Sequence, residues 1–308
     1  MKQTIRKLAV LLAVVFGLSG CGGDQPAARE EPFLTEIEYT NLADTETREL
    51  LREVMTDAGI SGERQAVLFS HVDQFNAVAG EENLTKGFAR AETAALPQYD
   101  PYQLQDLWTA EYPDFLGYNC RITAYSLMAD FLQIAPDAGA RDEMLMMDLL
   151  ALKADDSAMD GDTADGFRAL FSVVPAEGTQ DIRTHVETVQ QDWRERGIAF
   201  RDDEKVRMIS VFFHEQVGDA AYELMIGHVG ILFQKSENEL YFVEKVAFQE
   251  PYQMVRFQSR RELNDYLMGK YDISWGQPVA RPFILENDQL LEGYRANPNN
   301  GQEQTGAI

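Results

Sequence analysis

Residues 206–257 constrain the fold more than any other stretch. They break into VRMISVFF (206–213), YELMIGHVGILFQ (222–234), ELYFVEKVA (239–247) and QMVRF (253–257), each rich in β-branched and aromatic side chains and bounded by turn residues. Strands this closely spaced along the chain pair antiparallel. Upstream, apolar residues recur with helical spacing instead. Leu50, Leu51, Val54 and Met55 form one inward stripe, and Val67, Leu68, His71, Val72 and Phe75 form another after Ser61. Further helices are predicted over Gly117–Leu132, over the Met- and Leu-rich Asp142–Leu152, where methionines read as core filler, and over Asp181–Arg196, closed by Gly197. A short helix near Tyr102–Trp108 interrupts an aromatic, proline-broken loop. After the strands come a helix headed by a Ser259/Glu262 capping box and a last short strand, PFILE at 282–286. Helices first and strands second predict an α+β domain, a helical N-terminal half packed on a C-terminal antiparallel sheet.

The chain opens MKQTIRKLAVLLAVVFGLSGC, with a basic start (Lys2, Arg6, Lys7) and an apolar run from Leu8 to Leu18. That run is too short to span a bilayer as a mature helix and reads as a secretory signal over residues 1–20. Leu18-Ser19-Gly20-Cys21 resembles the lipobox of bacterial lipoproteins, which implies that Cys21 is lipidated and becomes the first mature residue. The lipid on Cys21 would then hold the protein to the extracytoplasmic face of the cell membrane. Residues 21–35 read as a tether, 36–296 as one domain, and 297–308 as a disordered polar tail.

The full chain carries 27 basic and 51 acidic side chains, a net charge of −24. Loss of Lys2, Arg6 and Lys7 with the signal leaves 24 basic residues and a balance of −27. Such a surface repels nucleic acid and anionic lipid headgroups, so no nucleic-acid partner is expected. The acidic run from Ala154 to Gly166 offers Asp156, Asp160, Asp162 and Asp165 to a cation, but Ala164 falls at a ligand position and Phe171 stands where the bidentate glutamate of a calcium loop belongs. It is expected to be a solvated loop. No metal and no cofactor are expected.

There are two cysteines. With Cys21 lipidated, Cys120 has no disulfide partner in a compartment that permits disulfides. Asn119 reads as the N-cap of the helix that Cys120 begins. There the free N–H groups and the positive end of the helix dipole favour a thiolate, and Arg121 adds a neighbouring cation.

The expected base is His228, flanked by Gly227 and Gly230, which keep side-chain bulk away from it. If Lys235, Ser236 and Glu237 form a three-residue hairpin loop, Gln234 pairs with Asn238 and His228 with Glu244. A carboxylate on the otherwise apolar face of Leu240, Phe242 and Val246 needs a partner, and His228 is the nearest. Lys245 or Arg256 are the competing partners for Glu244. His214 is the substitute base, while His71, on an apolar helix face, reads as a packed core histidine. The Cys120 backbone N–H is the natural oxyanion donor, with Asn119 or Tyr118 as a weaker second.

The order Cys, His, acid on helix, strand, strand resembles the papain-like cysteine peptidase superfamily, particularly its NlpC-type cell-wall amidases, whose histidine strand often reads like HVGIL. Those amidases usually carry Asp-Cys-Ser-Gly where this chain has Asn119-Cys120-Arg121-Ile122. GYNCRI at 117–122, IGHVGIL at 226–232, FVEKVAFQEPY at 242–252 and ELNDYLMGKY at 262–271 look like the bacterial lipoprotein family catalogued as domain of unknown function 4300. Together these readings predict an envelope lipoprotein with a Cys-His-Glu site that hydrolyses or transfers an amide or acyl group, with cell-wall peptides as the candidate substrate. The alternative is a binding lipoprotein that keeps a papain-like shape without turnover.

Overall fold

The computed structural model describes residues 32–159, 161–218, 221–273, 276 and 278–300. The signal, Cys21 and most of the tether lie outside them, as do Asp160 and residues 301–308.

The chain begins with strand β1 (Glu36–Thr40) and helices α1 (Thr45–Asp57) and α2 (Gly62–Ala79), then β2 (Ala89–Glu92) and α3 (Pro101–Glu111). Helix α4 (Cys120–Met128), β3 (Leu132–Ile134), α5 (Met146–Ala154), α6 (Gly161–Leu170), β4 (Val174–Ala176), α7 (Ile182–Glu195) and β5 (Ile198–Phe200) follow. The long strands are β6 (Val206–Val217), β7 (Ala221–Ser236), β8 (Glu239–Lys245) and β9 (Tyr252–Phe257); α8 (Arg260–Tyr271), β10 (Phe283–Glu286) and β11 (Gln289–Leu290) close the fold. Local chemistry sets the helix starts. Asp44, Ser61, Asp100, Asn119, Asp181 and Ser259 each accept a first-turn backbone N–H as N-caps.

A nine-stranded antiparallel sheet runs β11-β10-β6-β7-β8-β9-β1-β2, with β4 also paired to β7; β3 and β5 form a separate pair. The α+β class predicted from the sequence is the class observed. Its N-terminal half, however, is not purely helical, because β1 and β2 extend the sheet beyond β9. One sheet face, with Val229, Ile231, Phe233, Tyr241, Val243 and Met254, packs against the helices of the first half. The other, with Ile209, Val211, Leu232, Leu240, Phe242 and Val255, is covered by Leu263, Tyr266, Leu267 and Met268 of α8. Burial on both faces makes these strands near-continuous apolar runs.

Several expectations are corrected by packing. The methionines near α5 are not core filler: Met144, Met146 and Met147 are 49%, 63% and 42% exposed, and burial there falls to Leu145, Asp148, Ala151 and Leu152. Part of the acidic run is helical, since α6 starts at Gly161. Asn297, read as the head of a loose tail, is buried, and its N–H donates to Asp272 Oδ2 at 2.8 Å. No helix among the described residues is long and apolar enough to cross a membrane.

Candidate active site

Cys120 is the first residue of α4, and Asn119 Oδ1 accepts the Ile122 N–H at 3.0 Å. The β7–β8 ladder runs from Ser236–Glu239 to Ile231–Val243 and stops there. The start of α4 reaches β7 beyond that point: Arg121 Nη1 donates to Ile226 O at 3.1 Å, and the Val229 N–H donates to the Cys120 sulfur. The thiol from the helical half is thus received where the two strands part.

His228 reaches the same place through a bulge. On β6, Val211 pairs with His228 and Phe212 with Ile226, so Gly227 is the extra residue. Before the bulge Leu224 and Ile226 face the larger helical layer, and after it Val229, Ile231 and Phe233 do. The bulge therefore reverses the alternation and turns His228 toward the α8 face. The two glycines do not hold space open, as the sequence suggested: a Cβ on Gly227 would strike the Phe213 ring, and one on Gly230 the Phe242 ring and Val243 O. They are glycine because aromatic side chains already fill those positions.

The hairpin register also differs from expectation. Gln234 pairs with Leu240, not Asn238, so Glu244 lies two residues from direct opposition to His228. A shift of two preserves the face. Glu244 Oε2 bonds His228 Nε2, and Glu244 Oε1 accepts from Tyr266 Oη at 2.6 Å and Gln253 Nε2 at 2.6 Å. Tyr271 stacks on the imidazole at 5.1 Å between ring centroids. Neither competitor takes Glu244: Lys245 donates to the Phe248 and Glu250 carbonyls, and Arg256 pairs with Glu38 at 3.3 Å.

With Nε2 held by Glu244, Nδ1 is the ring nitrogen left for the thiol, and the Cys120 and His228 side chains are hydrogen-bonded. Burial alone would push the thiol up; the His228 charge and bond, the Arg121 charge and the Val229 N–H together hold it below its ordinary value. Burial would push the imidazole down, but Glu244 and Cys120 outweigh it and raise it to about 9. Burial likewise opposes the Glu244 charge, and His228, Lys270 and Tyr266 bring that carboxyl down to about 2. All three directions favour thiolate, imidazolium and carboxylate. All three residues are buried, with 7% of Cys120, 2% of His228 and 1% of Glu244 exposed.

The remaining candidates stand elsewhere. His214 lies with its ring 4.2 Å from His185, its Nδ1 accepting the Ala280 N–H at 2.9 Å. His71 is buried, bonded to Ser157 at 3.0 Å, and lowered by desolvation to about 4. Tyr118 Oη bonds Ser157 at 2.9 Å; Asn119 gives one amide N–H to Asp148 at 2.7 Å and its Oδ1 to the cap, which leaves its second N–H as the remaining side-chain donor of the two. The Cys120 N–H, at the first helical position, has no carbonyl one turn back to bond. Sequence reasoning missed Gln253, Tyr266 and Tyr271, which hold Glu244 and His228; their only signal was polar tips on otherwise apolar faces. Among the described residues no group of three or more His, Cys, Asp or Glu is arranged to hold a metal ion.

A family model described as a domain of unknown function (DUF4300) matches residues 38–291. No curated protein and no solved structure matches the chain.

Proposed function

We propose that this chain, which belongs to the family described as a domain of unknown function (DUF4300), is a membrane-anchored envelope lipoprotein. In this reading it uses Cys120, His228 and Glu244 for thiol-mediated hydrolysis or transfer of an amide or acyl group, in the manner of papain-like enzymes. One observation carries the reading: the His228 imidazole bonds Glu244 on one side and the Cys120 thiol on the other, at a helix start, with the thiol lowered and the imidazole raised.

The chemistry follows from that arrangement. The thiolate attacks the carbonyl carbon, and the oxyanion is received by the Cys120 N–H. The imidazolium gives its proton to the leaving amine as the C–N bond breaks, leaving a thioester on Cys120. His228 then takes a proton from water, whose oxygen attacks the thioester, releasing the acid and returning the thiol; an amine or hydroxyl acceptor in place of water gives transfer. Glu244 holds the ring and the charge that forms on it. Cell-wall peptides are the first substrates to try, because the Leu18–Cys21 motif places the expected anchor at the envelope.

The test is alkylation. Cys120 should react with iodoacetamide near neutral pH faster than a free thiol, and His228→Ala should remove that advantage without unfolding the protein. A Cys120 that reacts only on denaturation favours a second reading, a binding lipoprotein without turnover, which its 7% exposure supports. Anchoring is tested separately: Cys21→Ser should move the protein from the membrane to the soluble fraction, and unchanged fractionation counts against lipidation.

A further inference from the structure

One carboxylate grips both chain neighbours of the thiol. Asp148 of α5 is fully buried, and its Oδ1 accepts from Asn119 Nδ2 at 2.7 Å and from Arg121 Nε at 2.9 Å. Its Oδ2 accepts from Arg121 Nη2 at 2.8 Å, completing a two-pronged ion pair. The other arm of the guanidinium, Nη1, reaches Ile226 O, two residues before His228. Asn119, besides meeting Asp148, caps the helix through its Oδ1. The residue before Cys120, the residue after it and the strand that carries His228 are therefore joined through one side chain from a third element.

Stability alone is a weak reason for such a pair. Burying a carboxylate and a guanidinium costs desolvation that their attraction often only repays, and apolar residues of similar volume commonly pack as well. What the pair supplies that apolar packing cannot is direction. Arg121 is pinned beside the sulfur, where its charge lowers the thiol, and the start of α4 is held at a fixed distance from β7.

We propose that Asp148 is a positioning residue for the Cys120–His228 pair. It fixes Asn119 and Arg121 on either side of the thiol and, through Arg121, sets the separation between the helix start and the histidine strand. The proposal rests on the reading of Cys120 as a nucleophile and requires no particular substrate.

The experiment is the pH profile of iodoacetamide alkylation for the full chain, its Asp148→Asn variant and its Arg121→Lys variant, with circular dichroism and thermal melts as the fold control. Asp148→Asn keeps volume but loses the charge; Arg121→Lys keeps the charge but loses the fork. Both are expected to move the thiol inflection toward that of a free cysteine and to slow alkylation about tenfold at pH values below the parental inflection, the effect of a shift of ~1 pH unit. A folded Asp148→Asn variant with the parental inflection overturns the proposal. If that variant does not fold, Arg121→Lys decides: a shifted inflection supports the proposal and a parental one overturns it. If the parent itself titrates as a free thiol, the nucleophile reading falls and this proposal with it, whereas a low parental inflection that both variants retain removes the positioning role alone.

Discussion

His228 and Glu244 are bonded across two strands that are paired at neither residue. The β7–β8 ladder ends at Ile231–Val243, and the imidazole and carboxylate meet beyond it, supported by the side chains of Gln253, Tyr266 and Tyr271 rather than by β7–β8 backbone pairing. Side chains from β9 and α8 thus replace backbone pairing as the device that sets this geometry.

Glu244→Gln isolates the charge. The glutamine oxygen still accepts from Tyr266 and Gln253, but its amide faces His228 Nε2 and disfavours the imidazolium. The imidazole should fall from about 9 toward its ordinary 6.5, and the Cys120 alkylation inflection should rise by about one unit or more. An unchanged profile would mean that Glu244 only fills space. Glu244→Ala, which leaves buried donors unmatched, should cost about 3–5 kcal/mol of stability in urea titrations.

The two glycines beside His228 should differ in cost. A Cβ on Gly230 would approach Val243 O to 2.8 Å as well as the Phe242 ring, and backbone cannot swing aside. The three atoms nearest a Cβ on Gly227 all belong to the half-buried Phe213 ring, a side chain that can turn. Gly230→Ala is therefore expected to lose about 1–3 kcal/mol and Gly227→Ala less. Equal urea midpoints for the two variants would contradict this packing.

Stability should fall on both sides of neutrality. His71 and His214, each lowered by desolvation to about 4 from 6.5, stay neutral in the fold while the unfolded chain takes up protons, so stability is lost as pH drops from 6.5 to 4. Glu244, lowered to about 2 from 4.5, adds to the loss below 4.5. His228 acts in the opposite direction: its contribution is complete below 6.5 and disappears as pH rises through 9. The lowered Cys120 thiol gains on that alkaline side and offsets part of the decline. Urea midpoints measured from pH 4 to 10 report the curve, and a midpoint that does not change between pH 6.5 and 4 rules out the neutral, buried histidines.

The Met-rich segment around α5 provides a contrast within a few residues. Met146→Ser, at a site 63% exposed, should change stability by no more than about 0.5 kcal/mol, whereas Leu145→Ala, at 1%, should cost about 2–5 kcal/mol. Comparable losses at both positions would show that the methionines are covered after all.

Much of the site was legible because its signals are local. A cap residue before a cysteine and a carboxylate on an apolar strand face each announce themselves within a few positions, and the face shared by His228 and Glu244 survives any even shift of register, whereas the glycines beside His228 answer to Phe213 and Phe242 instead. The exact pairing was not legible, since the hairpin turn also contains an irregularity between Gln234 and Ser236 that the residue types do not specify. The bulge at Gly227 was hidden for the same reason. Strand β1, EIEYT, falls in the expected domain without being predicted as a strand, because its five residues become one only with β2 and β9 there to pair with them. Asp148 was invisible as a partner of the thiol's neighbours because one acidic residue in a Met- and Leu-rich helix looks like its solvent face, when the solvent face is the methionines.

Cys120 and His228 are contributed by opposite ends of the folding problem, one by the helical layer and the other by the strand layer it docks against. On the proposed reading, a partly folded or truncated chain would hold a Cys120 with ordinary chemistry, and heightened reactivity of that thiol toward an alkylating reagent would report that both layers have assembled.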